Sequence, residues 1–232
     1  MQQPTLQIIT TLQSLGSEEH RLSKQRLGIP YDHALGVSLP AIRELGKQYK
    51  RNQQLAIELW ASGYHEARLL AVLVADPKQS ELILIEQWLG DVVSWDLCDH
   101  LCNNLMVKLP ACVARIPPWA ADEREFVRRA AFALIVNDVM HNEQRDPAQI
   151  ERYFSLLRRY ANDDRLYVKK AVSWALREMG KRDDALQDEA ILLARELSES
   201  NSKAERWIGK DVLKELESLV SVPGHSRKVP AK

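Results

Sequence analysis

Apolar residues recur at intervals of three and four along nearly the whole chain, and no stretch alternates convincingly with period two. A 3.6-residue rhythm admits helices and leaves no half-buried strand, so the expected class is all-α. Three segments then repeat one pattern: HEARLLAVLVA (65–75), FVRRAAFALIV (126–136) and YVKKAVSWALR (167–177). Each places a basic residue near its first turn, Arg68, Arg129 or Lys170, and continues with small and apolar residues.

These three positions are spaced by 61 and 41 residues. The second spacing falls in the range of helical-pair repeats of the HEAT and armadillo kind, and the first leaves room for an extra helix. A stack of such pairs buries each apolar stripe against its neighbours, which gives an α-solenoid, a superhelix whose inner helices line a concave face. The alternative is a generic helical bundle in which the similarity is coincidence.

Glycine and proline number only nine and ten, so they serve as punctuation rather than as loop filler. Pro4 suits the first turn of a first helix, and Gly16 ends it. Ser17 and Ser38 are placed to cap the next two helices, on either side of the loop GIPYDHALG (28–36). Gly63, Asp76-Pro77 and Gly90 end the following three. A helix is expected from Ser94 to about Leu109, then one interrupted by Pro117 and Pro118, then five more to residue 220. The expected organisation is one helical-repeat domain over 1–220 and a disordered, mildly basic tail over 221–232.

Lysine plus arginine and aspartate plus glutamate balance at 32 each, which weighs against a strongly basic nucleic-acid binder but permits charge to segregate onto one face. No apolar run approaches 18 residues, so no membrane partner is expected. The first residues lack the basic and apolar regions of a signal peptide. Three cysteines give no disulfide framework, which places the chain in a reducing cytosol.

SWDLCDHLC (94–102) is the densest chemistry in the chain. At about 100° per residue, Leu97, Cys98, Leu101, Cys102 and Leu105 share a core stripe. Asp96, His100 and Asn104 point the other way, to the solvated side. Trp95 and Asp99 are one turn apart at the edge of the stripe. A metal site is disfavoured: Cys98 and Cys102 have no second close-spaced ligand pair, and Cys112 stands alone. No metal and no cofactor is expected. Two readings of Trp95 and Asp99 stay open. One is an aromatic packed on a neighbouring helix with a first-turn acid; the other is a carboxylate beside an aromatic wall at the lip of a groove.

The ordered set SWDLCD, FVRRAA and KKAVSWALRE, preceded by LGVSLPAIREL and HEARLLAVLVA, resembles the AlkD-type DNA alkylation repair family over roughly residues 30 to 180. That family consists of DNA glycosylases built from HEAT-like repeats. The resemblance implies hydrolysis of the N-glycosidic bond of cationic N3- or N7-alkylated purines in double-stranded DNA. Carried over by motif, Asp99 is the acid, Trp95 and Trp174 are the aromatic walls, and Arg129 holds a phosphate beside the lesion, with Arg128 the neighbouring choice. Arg128, Lys169, Lys170, Arg43 and Lys47 are expected on the DNA backbone. The family's N-terminal Tyr has no counterpart in EEHRLSKQRL, and the nearest is Tyr31 in the following loop. The resemblance implies a monomer of the bacterial cytosol or nucleoid. The alternative is a non-catalytic HEAT-like module that binds DNA or protein.

Overall fold

A computed structural model describes residues 2–30, 32–142, 146–221 and 227–230. The chain is helical almost throughout and divides into two compact units, Met1–Cys112 and Val113–Lys232. Tyr31 lies outside the described residues.

Unit 1 contains α1 (Gln3–Ser14), α2 (Glu18–Arg26), α3 (Leu39–Gln48), α4 (Gln53–Ala61), α5 (His65–Val74), α6 (Leu82–Gly90) and α7 (Trp95–Asn104). Pro4 lies in the first turn of α1, and the Ser17 hydroxyl accepts the His20 N–H to start α2. Ser38 makes no side-chain cap at α3, whereas Asn52 caps α4. α5 is the centre of the unit: it packs on α3, α4 and α7, and His65, Glu66, Ala67, Leu69, Leu70, Ala71, Val72 and Val74 are all buried. Gly46 lets α3 approach it, since a Cβ there would sit 3.1 Å from that of Leu73.

α7 is shorter than its periodicity predicts. It ends at Asn104, and Met106–Lys108 forms a 3-10 turn. Two short helices follow, α8 (Pro110–Val113) and α9 (Ile116–Ala121). Pro117 and Pro118 do not interrupt a helix. They open α9, where their missing N–H groups have no helical partner to lose.

Unit 2 continues with α10 (Glu125–His141), α11 (Pro147–Tyr160), α12 (Leu166–Gly180), α13 (Asp184–Ser198) and α14 (Lys203–Leu216). α10 packs on α9 and α12, and α12 also packs on α13 and α14. From Arg129 to Asn137 every residue of α10 is buried, so this is a core helix enclosed on all sides. α13 and α14 cross closely at Gly209, where a Cβ would run into the Ala194 carbonyl and the Ser198 backbone.

The segment expected as a disordered tail is ordered where it is described. Val229–Pro230 pairs antiparallel with Leu219–Val220, and the Lys228 N–H donates to the Lys181 carbonyl at 2.9 Å. Arg227 reaches Glu178 and Lys228 reaches Asp184, so the basic character of the segment is what binds it back. Residues 222–226 and 231–232 lie outside the described residues.

Candidate active site

Trp95 and Asp99 occupy one edge of α7, both half-buried, as i and i+4 positions require. The Trp95 indole N–H donates to the Leu27 carbonyl at 2.9 Å, at the C-cap of α2. Its ring is therefore oriented by an element 68 residues away in sequence. Leu97, Cys98, Leu101, Cys102 and Leu105 form the core stripe as the periodicity predicts.

Asp96 and His100 overturn the expectation of a solvated side. His100 is 7% exposed, and Asp96 accepts from three groups. These are Ser94 Oγ at 2.7 Å, the Leu97 N–H at 2.9 Å, and His65 Nε2 at 2.8 Å. The reason is packing: that side of α7 lies on α5, so its polar residues are enclosed and must find partners. Burial pushes the Asp96 carboxyl up, but the His65, Ser94 and Leu97 hydrogen bonds outweigh it and hold it below its ordinary value. Burial drives the His100 imidazole down to about 4, with the Arg43 and His65 charges acting the same way. The Leu69 carbonyl, 3.1 Å from Nε2, can only accept, so Nε2 carries the proton. Nδ1 then faces the Asn104 amide at 3.2 Å as an acceptor.

A second network stands beside the first on α5. The Glu66 carboxylate is fully buried. It accepts Lys24 Nζ at 2.7 Å, the Leu35 and Gly36 N–H groups at 2.7 and 2.8 Å, and the Val37 N–H at 3.3 Å. Burial raises its pKa, yet the Lys24 charge and these donors win and hold it low. Gly36 adopts φ +80°, and a Cβ there would strike the Ser17 carbonyl, so only glycine lets this loop turn its amides onto Glu66. The His65 N–H also donates to the His33 carbonyl at 2.8 Å. Together they fix the loop that follows Leu27. Sequence reasoning missed Glu66, His65 and Lys24. The available signal was an acid placed four residues before Leu70, on the apolar stripe of a helix otherwise built for burial.

Of the expected backbone-binding residues in unit 1, Arg43 and Lys47 are exposed on α3, with Lys47 2.7 Å from Glu44. In unit 2, Lys170 is exposed and Trp174 is half-buried one turn later on α12. Lys169 lies with Nζ 5.1 Å from the Trp207 ring centroid. The two arginines differ from expectation. Arg129 is 5% exposed, and its Nη1 donates to the Tyr167 carbonyl at 2.6 Å, tying α10 to the first turn of α12. Arg128 Nη1 is 2.6 Å from buried Asp163, and its guanidinium lies 5.0 Å over the Tyr160 ring. Both charges are engaged inside unit 2, Arg129 as a buried group and Arg128 as a partly exposed one.

No group of three or more His, Cys, Asp or Glu among the described residues is arranged to hold a metal ion. The three cysteines are buried, and burial pushes the Cys112 thiol up to about 12. No helix among the described residues is long and apolar enough to cross a membrane.

A family model described as DNA alkylation repair enzyme matches residues 8–216. No curated protein gives a significant match. A solved structure superposes with a TM-score of 0.72 at 20% identity, covering 90% of this chain and 93% of its own. It is described as representing a family related to the HEAT-like repeat DNA glycosylases, with affinity for branched DNA structures. The fold is therefore one of HEAT-like helical repeats.

Proposed function

The chain belongs to the DNA alkylation repair enzyme family, and on that premise we propose that it is a glycosylase releasing cationic N3- or N7-alkylated purines from duplex DNA. The observation that carries this reading is the Trp95–Asp99 pair: a half-buried carboxylate one helical turn from an indole whose orientation is fixed by the Leu27 carbonyl.

The chemistry asks little of an acid. An alkylated purine already bears a positive charge, so the glycosidic electron pair leaves with the base and neutralises it. The deoxyribose left behind is cationic at C1′. Asp99 stabilises that charge and accepts the proton of the water that attacks it. Trp95 holds the cationic nucleotide by its face, and the resemblance gives Trp174, on α12 of unit 2, the same kind of aromatic contact. Exposed Arg43, Lys47 and Lys170, with Lys169, neutralise phosphates. Arg129 contributes by fixing the α10–α12 geometry that carries Trp174.

The test is release of 7-methylguanine and 3-methyladenine from duplex DNA, with Asp99→Asn alongside. Wild type is expected to release base, and Asp99→Asn to be slower by roughly 10²–10³-fold, the cost of losing one preorganised electrostatic group. Absence of release by wild type at high enzyme defeats the reading. A second reading, recognition of branched DNA without base release, is favoured by the buried Arg129, by Arg128 paired with Asp163, and by the solved relative's described affinity. Salt-dependent binding with no released base would support it.

A further inference from the structure

α14 carries a stripe that the proposed chemistry does not use. Lys203, Trp207, Lys210 and Lys214 fall at i, i+4, i+7 and i+11, on one face of the helix. All four are exposed, and Trp207 keeps 38% of its surface open. The opposite face is ordinary core, with Ala204, Ile208, Gly209, Val212 and Leu216 buried. The acids of the same stretch are all engaged elsewhere. Asp211 accepts from Ser173 and Arg177, and Glu215 from Arg177 at 2.8 Å and from Lys181. Glu205 accepts from Ser200, and Glu217 pairs with Arg195 at 3.3 Å. Lys203, Lys210 and Lys214 make no ion pair among the described residues. α14 therefore separates its charge sideways: Asp211 and Glu215 are neutralised against α12 and Glu217 against α13, Glu205 is hydrogen-bonded to Ser200, and ammonium groups are left on the open face. Lys169 of α12 adds a further cation at the Trp207 ring, 5.1 Å from its centroid.

A stripe of lysines attracts any polyanion, but a polyanion without rings gains nothing from the indole. A DNA duplex keeps its bases stacked inside, so it too would meet the lysines and leave Trp207 idle. Only a strand with an unpaired base uses both halves, phosphates on the ammonium groups and a base on the indole face. From Lys203 to Lys214 the helix rises about 16 Å, room for a few nucleotides. We propose that this face of α14, centred on Trp207, is a platform for single-stranded DNA such as the unpaired arm of a branched or frayed duplex. The proposal rests on the reading that the protein acts on DNA, and it adds a site separate from Asp99.

The test measures binding by fluorescence anisotropy to a linear undamaged duplex and to a forked duplex with one single-stranded arm, at fixed salt. The proteins are wild type, Trp207→Phe, Trp207→Leu and the triple variant Lys203→Gln/Lys210→Gln/Lys214→Gln. Wild type is expected to prefer the fork. Trp207→Leu should lose roughly tenfold on the fork, the scale of one base–aromatic stack, and less than twofold on the linear duplex. Trp207→Phe should keep most of the preference. The triple variant should flatten the salt dependence on the fork by a slope of about two. Because Trp207 is exposed, thermal melts will show the variants folded. A Trp207→Leu variant that binds the fork like wild type overturns the platform, as does tighter binding of an acidic peptide or of RNA than of the DNA arm. Wild type that releases alkylated base yet shows no preference for the fork overturns the platform alone. Wild type that binds no DNA at all overturns both readings.

Discussion

His100 holds its proton weakly because its ring is enclosed between α5 and α7 and bonded to the Leu69 carbonyl. An unfolded histidine takes up a proton near 6.5, whereas the folded one resists until about 4. The unfolded chain thus binds more protons across that window, and stability falls as pH drops through it, by about 3 kcal/mol from this group. In urea melts at pH 7 and pH 4.5, His100→Gln should lose less stability on acidification than wild type; equal losses would contradict the assignment. Glu66 gives a second residue-scale prediction. Replacing it by Ala leaves Lys24 and three amides facing an apolar void, and should cost about 3–5 kcal/mol. Glu66→Gln keeps one acceptor and should cost less, as chemical denaturation will read. Periodicity located Trp95 and Asp99 and the cysteine stripe. It misassigned Asp96 and His100 because a helical wheel shows which residues share a side, but not whether another helix covers that side.

Helix existence was legible nearly everywhere, since apolar spacing and the rare glycines and prolines agree with one another. Helix ends were less so. α7 stops at Asn104 although its apolar pattern runs on, and Pro117 and Pro118 begin a helix where they were expected to break one. Proline's effect depends on which turn it occupies, and the chain's path before it decides that. Two predictions belong at this scale. Gly209→Ala should cost about 1–3 kcal/mol, because the new methyl meets backbone of α13 that cannot give way. Arg129→Ala should lower stability by about 2 kcal/mol or more, since it removes a buried charge-assisted bond to the Tyr167 carbonyl. If Arg129 instead served only a phosphate, thermal melts would be unchanged and DNA affinity would fall.

Across the molecule, 32 cationic and 32 acidic side chains cancel. DNA binding must then come from local segregation of charge, as on α14, rather than from a net field. The expected outcome is steep salt dependence despite zero net charge, with a slope of log affinity against log salt beyond about −2; a slope near zero would mean that no phosphates are neutralised. The sequence alone determined the all-α class and the repeated helices, because these rest on spacing along the chain, which each helix enforces by its own geometry; the family was legible only through the resemblance of the ordered motifs SWDLCD, FVRRAA and KKAVSWALRE. It could not decide which polar residues are enclosed. Glu66 is buried, Asp96 is half-buried and Arg129 is engaged inside unit 2, because of what packs over them, and those neighbours are about 30 to 40 residues away in sequence. Enclosure is a property of contacts between helices, so only the tertiary structure sorted these charges from those left open to DNA.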